Sequence, residues 1–301
     1  MRLWAGNVVF LEAAEGLRSA LRLLGVAARV DVGVEACPWV SDDELWVLVG
    51  ATLLPGVAPS DAPWPPPRRF VVYQMEQLGS AWLTPAYLAL VARADALWEF
   101  APSHAPRWAA AARRVAYVPL APPDLGPAPP PSPAPAADLL FYGCGNARRA
   151  ALRDACAALL APRGYRVDFR GRKRVIQVRF NVDFRLGFDL FGAARDDAAR
   201  RATVVLNAHF YEGAALETHR LNYLLQRGAC VLSEPSADRD LDALYARGVR
   251  FAAYGDLPRA ALALLEDAGA RRDASAAAAA LAAELPRVAA AWADVALKDL
   301  G

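Results

Sequence analysis

The chain has 301 residues, room for two domains at about 150 residues each. Hydrophobic residues make up 55% and charged residues 22%, which excludes a disordered chain and fits a globular one. A net charge of +2 sets up no global basic field to draw in nucleic acid.

The first half alternates strand and helix signals. Asn7-Val8-Val9-Phe10 is a short apolar run, and residues 11–25 read as a helix, with Leu17, Leu21 and Leu24 three or four apart. Ala28–Val32, Leu45–Gly50, Phe70–Tyr73, Ala96–Phe100 and Val115–Val118 read as buried strands, with helices near 81–93 and 103–113. A proline cluster at 63–67 reads as a loop. From Pro119 to Pro135 the chain holds nine of its 23 prolines, a semi-rigid extended spacer.

The second half repeats the pattern. Asp138–Gly143, Tyr165–Phe169, Thr203–Asn207, Ala229–Ser233 and Arg250–Ala253 read as strands. Helices are expected over 146–160, 194–201, 214–227, 238–246 and 256–267, with an Ala-rich tail helix near 273–298 that Pro286 should kink or split. Residues 171–191 are basic and aromatic and fit either a strand pair or an inserted loop. Alternating strands and helices imply βαβ units and parallel sheets. The expected division is an N-terminal Rossmann-like domain over 1–121, a linker over 122–136, and a C-terminal Rossmann-like domain with the tail helix over 137–301. Two such domains would face a central cleft lined by strand C-termini, where open α/β sheets bind ligands.

Cys37, Cys144, Cys156 and Cys230 show no CxxC pair, which gives neither a zinc site nor a disulfide framework. Reduced thiols fit a cytoplasmic setting. No apolar run reaches the ~18 residues of a spanning helix. Glu12 and Glu15 interrupt the apolar start, so no signal peptide is expected.

Two constellations carry chemistry. In Phe141-Tyr142-Gly143-Cys144-Gly145-Asn146-Ala147-Arg148-Arg149, a strand runs through glycines into a helix start. Gly143 and Gly145 let the backbone approach a phosphate, Asn146 suits an N-cap, and Arg148 and Arg149 add charge. The plain alternative is a simple β–α turn with a solvated arginine pair. The second constellation, His209 through Leu225, follows the strand Val204-Val205-Leu206-Asn207. Gly213 and Ala214 fit the turn. Glu217 falls in the first helical turns, where a carboxylate can accept both hydroxyls of a ribose or simply answer the helix dipole.

The run Leu206-Asn207-x-His209-x-Tyr211-Glu212-Gly213-x-x-x-Glu217-x-x-Arg220-x-x-x-Leu224-Leu225, continuing to Cys230-Val231-Leu232-Ser233-Glu234, resembles bacterial and large-virus glycosyltransferase-like proteins of the "glycosyl transferases group 1" type, akin to the spore-maturation CgeB-like group. Tyr73-Gln74-Met75-Glu76-Gln77-Leu78, Leu97-Trp98-Glu99-Phe100-Ala101-Pro102-Ser103 and the 141–149 segment resemble the same family, as does Tyr117-Val118-Pro119-Leu120. Together these segments cover most of residues 70–255.

The resemblance implies a GT-B fold. It implies a nucleotide-sugar donor on the C-terminal domain, an acceptor (glycan, protein or lipid) on the N-terminal one, and a metal-independent transfer with no resident cofactor. Glu217 matches the second Glu of the family's Glu-x7-Glu motif, which binds the donor ribose. The first falls on His209, with Glu212 close enough to take its place. Arg148 or Arg149, or the 170–174 cluster, would meet the diphosphate, Arg220 joins the donor-binding residues, and His104 is a candidate general base on the acceptor side. Domain closure over the linker would exclude water. His209 at a Glu position also leaves open an inactive scaffold that binds a nucleotide or glycan without turnover.

Three other features bear on function. Asp238-Arg239-Asp240 has the form of a metal-diphosphate DxD but opens a helix, where acids cap. Arg170-Gly171-Arg172-Lys173-Arg174 with Arg179 reads first as a solvated face. Anionic lipid or phosphate comes second and nucleic acid last, so peripheral membrane contact stays open. A nicotinamide dehydrogenase lacks its GxGxxG here.

Overall fold

The computed structural model describes residues 1–33, 44–54, 67–126, 135–172 and 192–301. Cys37, most of the 63–67 proline cluster, proline-tract residues 127–134, Lys173, Arg174 and Arg179, and almost all of the 171–191 segment lie outside the described residues. The chain forms two compact units, Met1–Asp124 with Glu284–Gly301, and Leu125–Ala283.

The first unit is built from β1 (Arg2–Ala5), α1 (Leu11–Leu23), β2 (Arg29–Val32), β3 (Trp46–Val49), β4 (Phe70–Gln74), α2 (Pro85–Arg93), β5 (Ala96–Glu99) and β6 (Val115–Tyr117). The strands form one parallel sheet in the order β2-β1-β3-β4-β5-β6. Its register lines up Trp4, Leu48, Val72 and Leu97 as one buried row. Strands this apolar suit a parallel sheet covered on both faces. Thr84 starts α2 by accepting the Tyr87 N–H at 3.1 Å, with Pro85 at the first helical position.

Three sequence expectations change here. The first strand is Arg2–Ala5, not the Asn7–Phe10 run, which instead forms a tight turn over Val8–Phe10. The Asn7 side chain accepts the Val9 N–H at 2.8 Å, and the Phe10 ring lies over Gly50. The helix expected near 103–113 is only a 3-10 turn over Ala105–Trp108, and the Trp108 indole donates to buried Glu99 at 2.7 Å. The tail helix, α8 (Ala268–Lys298), runs unsplit through Pro286. Its last turns belong to the first unit, not to the second as the sequence suggested. Ala289 and Ala290 pack there with Ala20 and Ala121, and Trp292 meets Tyr117 edge-on.

The second unit holds β7 (Ala137–Cys144), α3 (Ala147–Leu160), β8 (Val167–Arg172), α4 (Ala193–Arg200), β9 (Ala202–Asn207), α5 (Thr218–Gln226), β10 (Val231–Ser233), α6 (Arg239–Tyr245), β11 (Arg250–Phe251) and α7 (Leu257–Glu266) before α8 begins. Its sheet is parallel, in the order β11-β10-β9-β7-β8. Leu139 pairs with Val204, and Phe141, Leu206 and Leu232 form a row through the core. The strand order reverses between β7 and β9. In open α/β sheets such a switch point leaves a crevice at the strand C-termini where ligands bind.

Candidate functional site

At this switch point β7 ends and α3 starts at Ala147. Asn146 caps that helix. Its Oδ1 accepts the Arg149 N–H at 2.8 Å, while its Nδ2 donates to the Phe210 carbonyl at 2.6 Å. One side chain thus joins the loop after β7 to the loop after β9. The first N–H groups of α3 have no partner inside the helix, and they carry the positive end of its dipole.

Arg149 turns back beneath this loop. Its Nε donates to the Ala208 carbonyl at 2.9 Å, its Nη1 to the Cys144 carbonyl at 2.8 Å, and its Nη2 to Glu217 Oε1 at 3.0 Å. Arg220, from the first turn of α5, donates to Asn207 Oδ1 at 3.3 Å and lies 3.3 Å from Glu217 Oε2. Both guanidiniums converge on Gly143. A Cβ there would stand 2.9 Å from Arg220 Nη2 and 3.3 Å from Arg149 Nη1, and the backbone has φ +147°. Only glycine meets both conditions.

Glu217 stands at the N-cap of α5, which begins later than the 214–227 expected from sequence. Its carboxylate makes no capping hydrogen bond, since the two guanidiniums hold it. Burial alone would raise this carboxyl, but Arg220, then Arg149, and then His209 and His219 hold it at about 2. Burial also pulls the Arg149 guanidinium down to about 10, against the attraction of Glu217. Both partners of the pair thus titrate low. Desolvation is the largest effect on both groups; the facing cations outweigh it at Glu217, whereas at Arg149 the attraction of Glu217 offsets only part of it. Both stay charged at neutral pH, and the arrangement fixes position more than it adds stability.

Arg148, the neighbouring candidate, is committed elsewhere. Its two Nη atoms form a bidentate pair with Glu234, one of them at 2.6 Å, and its guanidinium stacks 3.8 Å from the centre of the Tyr254 ring. The Glu234 carboxylate holds the Arg148 guanidinium above its ordinary range. Glu234 Oε1 also accepts the His209 N–H at 2.6 Å, and Arg148 donates to the His209 carbonyl at 3.2 Å. Sequence reasoning gave Glu234 no role. Its signal was the Ser233-Glu234 end of the 206–234 run, but a pairing 86 residues apart is invisible in spacing.

The backbone of His209 is therefore pinned on both sides, and its ring is 2% exposed. Among the described residues neither ring nitrogen has a hydrogen-bond partner, nor does Thr218 Oγ1, while Glu217 Oε2 is met by the Arg220 guanidinium. Leaving such an atom unpaired costs about 1–3 kcal/mol, and polar ligands satisfy such groups. Glu212 and Gly213 are exposed in the loop between β9 and α5. Ala214 is buried, its carbonyl accepting the Ala237 N–H at 2.9 Å. Gly145 is half-buried beside the Asn146 cap.

Two candidates fall apart from this cluster. His104 is enclosed in the first unit, edge-on to Phe100, with Nδ1 3.7 Å from Glu99 Oε1. Such enclosure fits a packed structural histidine better than an acceptor-facing base. Asp238 accepts the Leu241 N–H at 3.1 Å as the cap of α6, and Asp242 accepts from Ser236. The acids near the DxD form thus serve the helix start. Among the described residues, no three His, Cys, Asp or Glu side chains gather as a metal site would require, and no helix is long and apolar enough to cross a membrane. Cys156 and Cys230 are buried, and burial pushes their thiols up to about 12 and about 11, whereas Cys144 is exposed at the end of β7.

Neither a protein-family model nor a curated protein matches the chain. Solved structures do. The T4 phage glucosyltransferase BGT, bound to UDP and Mn2+, matches with TM-score 0.57 at 12% identity over 100% of this chain and 99% of its own. AviGT4, a glycosyltransferase of avilamycin A biosynthesis, matches with TM-score 0.57 at 14% identity over 100% and 97%. S. aureus TarM, in complex with fondaparinux, α-GlcNAc-glycerol and UDP, matches with TM-score 0.58 at 10% identity over 87% of this chain, which spans 56% of TarM. The chain has the GT-B fold. At such identities the likeness establishes that fold, in agreement with the sequence resemblance, and carries no residue role with it.

Proposed function

We propose that the protein transfers a sugar from a nucleotide-sugar donor to an acceptor hydroxyl, without a metal ion and without a resident cofactor. The observation that carries this reading is the meeting of Arg149, Arg220 and Glu217 over Gly143, at the switch point of the second sheet. In this reading the donor diphosphate lies along Gly143–Asn146 at the start of α3, near the loop of Gly213 and Ala214. Arg220, backed by Arg149, takes its charge. Glu217 accepts the ribose hydroxyls, and the pinned His209 ring, with Glu212 in the adjacent loop, meets the sugar. Arg148 supports the His209 loop through Glu234 rather than touching the donor.

As the bond between the anomeric carbon and the diphosphate oxygen breaks, the electron pair stays with the diphosphate. The helix dipole and the arginines are preorganised for that charge, which is the largest lever available to such a site. UDP appears in the BGT and TarM structures, which supports a uridine nucleotide as the first donor to try.

The test is a thermal-shift screen against nucleoside diphosphates and nucleotide-sugars, without and with Mg2+ or Mn2+. A ligand at a hundred times its Kd adds ~2.7 kcal/mol to stability, an easily read shift. A metal-independent shift with one nucleotide-sugar, lost in Glu217→Gln, is expected. A shift that needs the metal would remove the metal-free part of the proposal. Absence of any shift would remove the donor site.

A further inference from the structure

The strands of the first unit run parallel, so their N-terminal ends share one edge of the sheet. Open parallel sheets bind their ligands at the opposite edge. Arginines gather along the N-terminal one. Arg68 and Arg69 lead into β4, and the Arg69 carbonyl accepts the Trp46 N–H at 3.1 Å. Arg93 closes α2 just before β5. Arg113 and Arg114 lead into β6, and the Arg114 carbonyl accepts the Leu97 N–H at 2.9 Å. β4, β5 and β6 are neighbours in the sheet. Adjacent strands lie about 4.8 Å apart, so the three strand starts span about 10 Å.

All five arginines are exposed. Among the described residues, Arg68, Arg69, Arg93 and Arg113 enter no ion pair. The acids of this edge are engaged elsewhere. Glu44 and Asp31 face Arg2, and Asp95 accepts the Phe70 N–H at 3.1 Å. Like charges held within about one Debye length repel one another, and an anionic surface relieves that repulsion.

The end of α8, in the same unit, sets apolar side chains beside these arginines. Arg114 Nη1 donates to the Asp299 carbonyl, which ties the end of the helix to the edge. Trp292 and Val295 precede Asp299 by seven and four residues, so they lie above it on one helix face. Trp292 is 45% exposed and Val295 52%. The indole meets Tyr117 of β6 edge-on, ring centres 5.0 Å apart. Arginines beside an exposed indole and an aliphatic side chain match a membrane interface, where headgroup phosphates take the guanidiniums and the indole sits at headgroup level. A nucleic-acid backbone offers nothing to the valine, and a net charge of +2 gives no long-range pull on one.

We propose that this arginine edge, with Trp292 and Val295, seats the first unit on a bilayer containing anionic phospholipid. The inference goes beyond the donor site and does not depend on it. The contact leaves the C-terminal edge of the same sheet clear of the bilayer.

The test is flotation of the full chain with vesicles of phosphatidylcholine alone, and with vesicles holding about one third phosphatidylglycerol. The wild type should float with the anionic vesicles only, and roughly 0.5 M salt should release it. A basic side chain near such a surface is worth about fivefold in binding, so Arg93→Ala/Arg113→Ala should lower partitioning about 25-fold. Trp292→Ala should lower it as well, with Trp292→Phe recovering part of the loss. Arg259→Ala/Arg272→Ala removes two exposed arginines of the second unit and should float as the wild type does. Thermal melts confirm that each variant is folded. A wild type that stays behind, or that floats equally with phosphatidylcholine alone, overturns the proposal. So does full flotation of Arg93→Ala/Arg113→Ala, or an equal loss in both arginine pairs. Displacement of the wild type from vesicles by duplex DNA that the Arg93→Ala/Arg113→Ala variant no longer binds would assign the edge to nucleic acid instead.

Discussion

Glu217 Oε1 accepts a hydrogen bond from Arg149 Nη2 at 3.0 Å, and both residues are largely buried. Removing the carboxylate leaves two guanidiniums packed together over Gly143 without their shared counter-charge. Glu217→Ala should therefore cost about 3 kcal/mol, in line with breaking one side of a buried ion pair. Urea unfolding of the two proteins measures the difference.

Gly143→Ala should disturb the same place from the backbone side. The added methyl would crowd Arg220 Nη2 and Arg149 Nη1 at a φ of +147°. A loss of about 1–3 kcal/mol is expected, together with weaker nucleotide binding. Gly213→Ala is the control. Its φ is +70° but nothing lies within 4 Å of the new methyl, so only backbone strain of roughly 1 kcal/mol remains. Denaturation midpoints of the two variants should separate crowding from strain.

Arg148 and Glu234 should behave as a unit in stability. Each single alanine variant leaves a charge unpaired and loosens His209, whose N–H and carbonyl they hold. The double variant should be less destabilised than the sum of the singles, with a coupling of ~1–3 kcal/mol. A double-mutant cycle in urea gives that coupling directly.

The Glu217 carboxyl is held at about 2, well below its unfolded value, so the folded state favours the ionised form. The contribution this makes to stability is fully present above the ordinary glutamate range and is lost as pH falls toward 2. The stability gap between wild type and Glu217→Gln should be constant at neutral pH and should narrow below about pH 4.5. Unfolding free energies measured from pH 7 down to the acid limit of folding would trace it.

The sequence made the sheets legible because their strands are continuous apolar runs, such as Trp46–Val49, buried at every residue. Arg2–Ala5 escaped because it is short, begins with arginine and precedes a more strand-like run that Asn7 folds into a turn. Pro286 misled because α8 continues through it. The start of α5 was read too early because Gly213 ends one turn while Ala214–Leu216 stay buried outside the helix. At the site, Gly143, Asn146 and Glu217 were readable from local spacing. The division of labour between Arg148 and Arg149 was not, since it depends on Glu234 and Glu217, far along the chain.

The most direct measurement is calorimetric titration of UDP into the wild type, Arg220→Ala and Arg148→Ala. The account predicts binding by the wild type, near-wild-type affinity in Arg148→Ala, and at least a tenfold loss, ~1.4 kcal/mol, in Arg220→Ala. Binding that survives in Arg220→Ala and is lost in Arg148→Ala would contradict the assignment of the diphosphate to Arg220 and Arg149 over Gly143. No binding by the wild type would contradict the donor site itself.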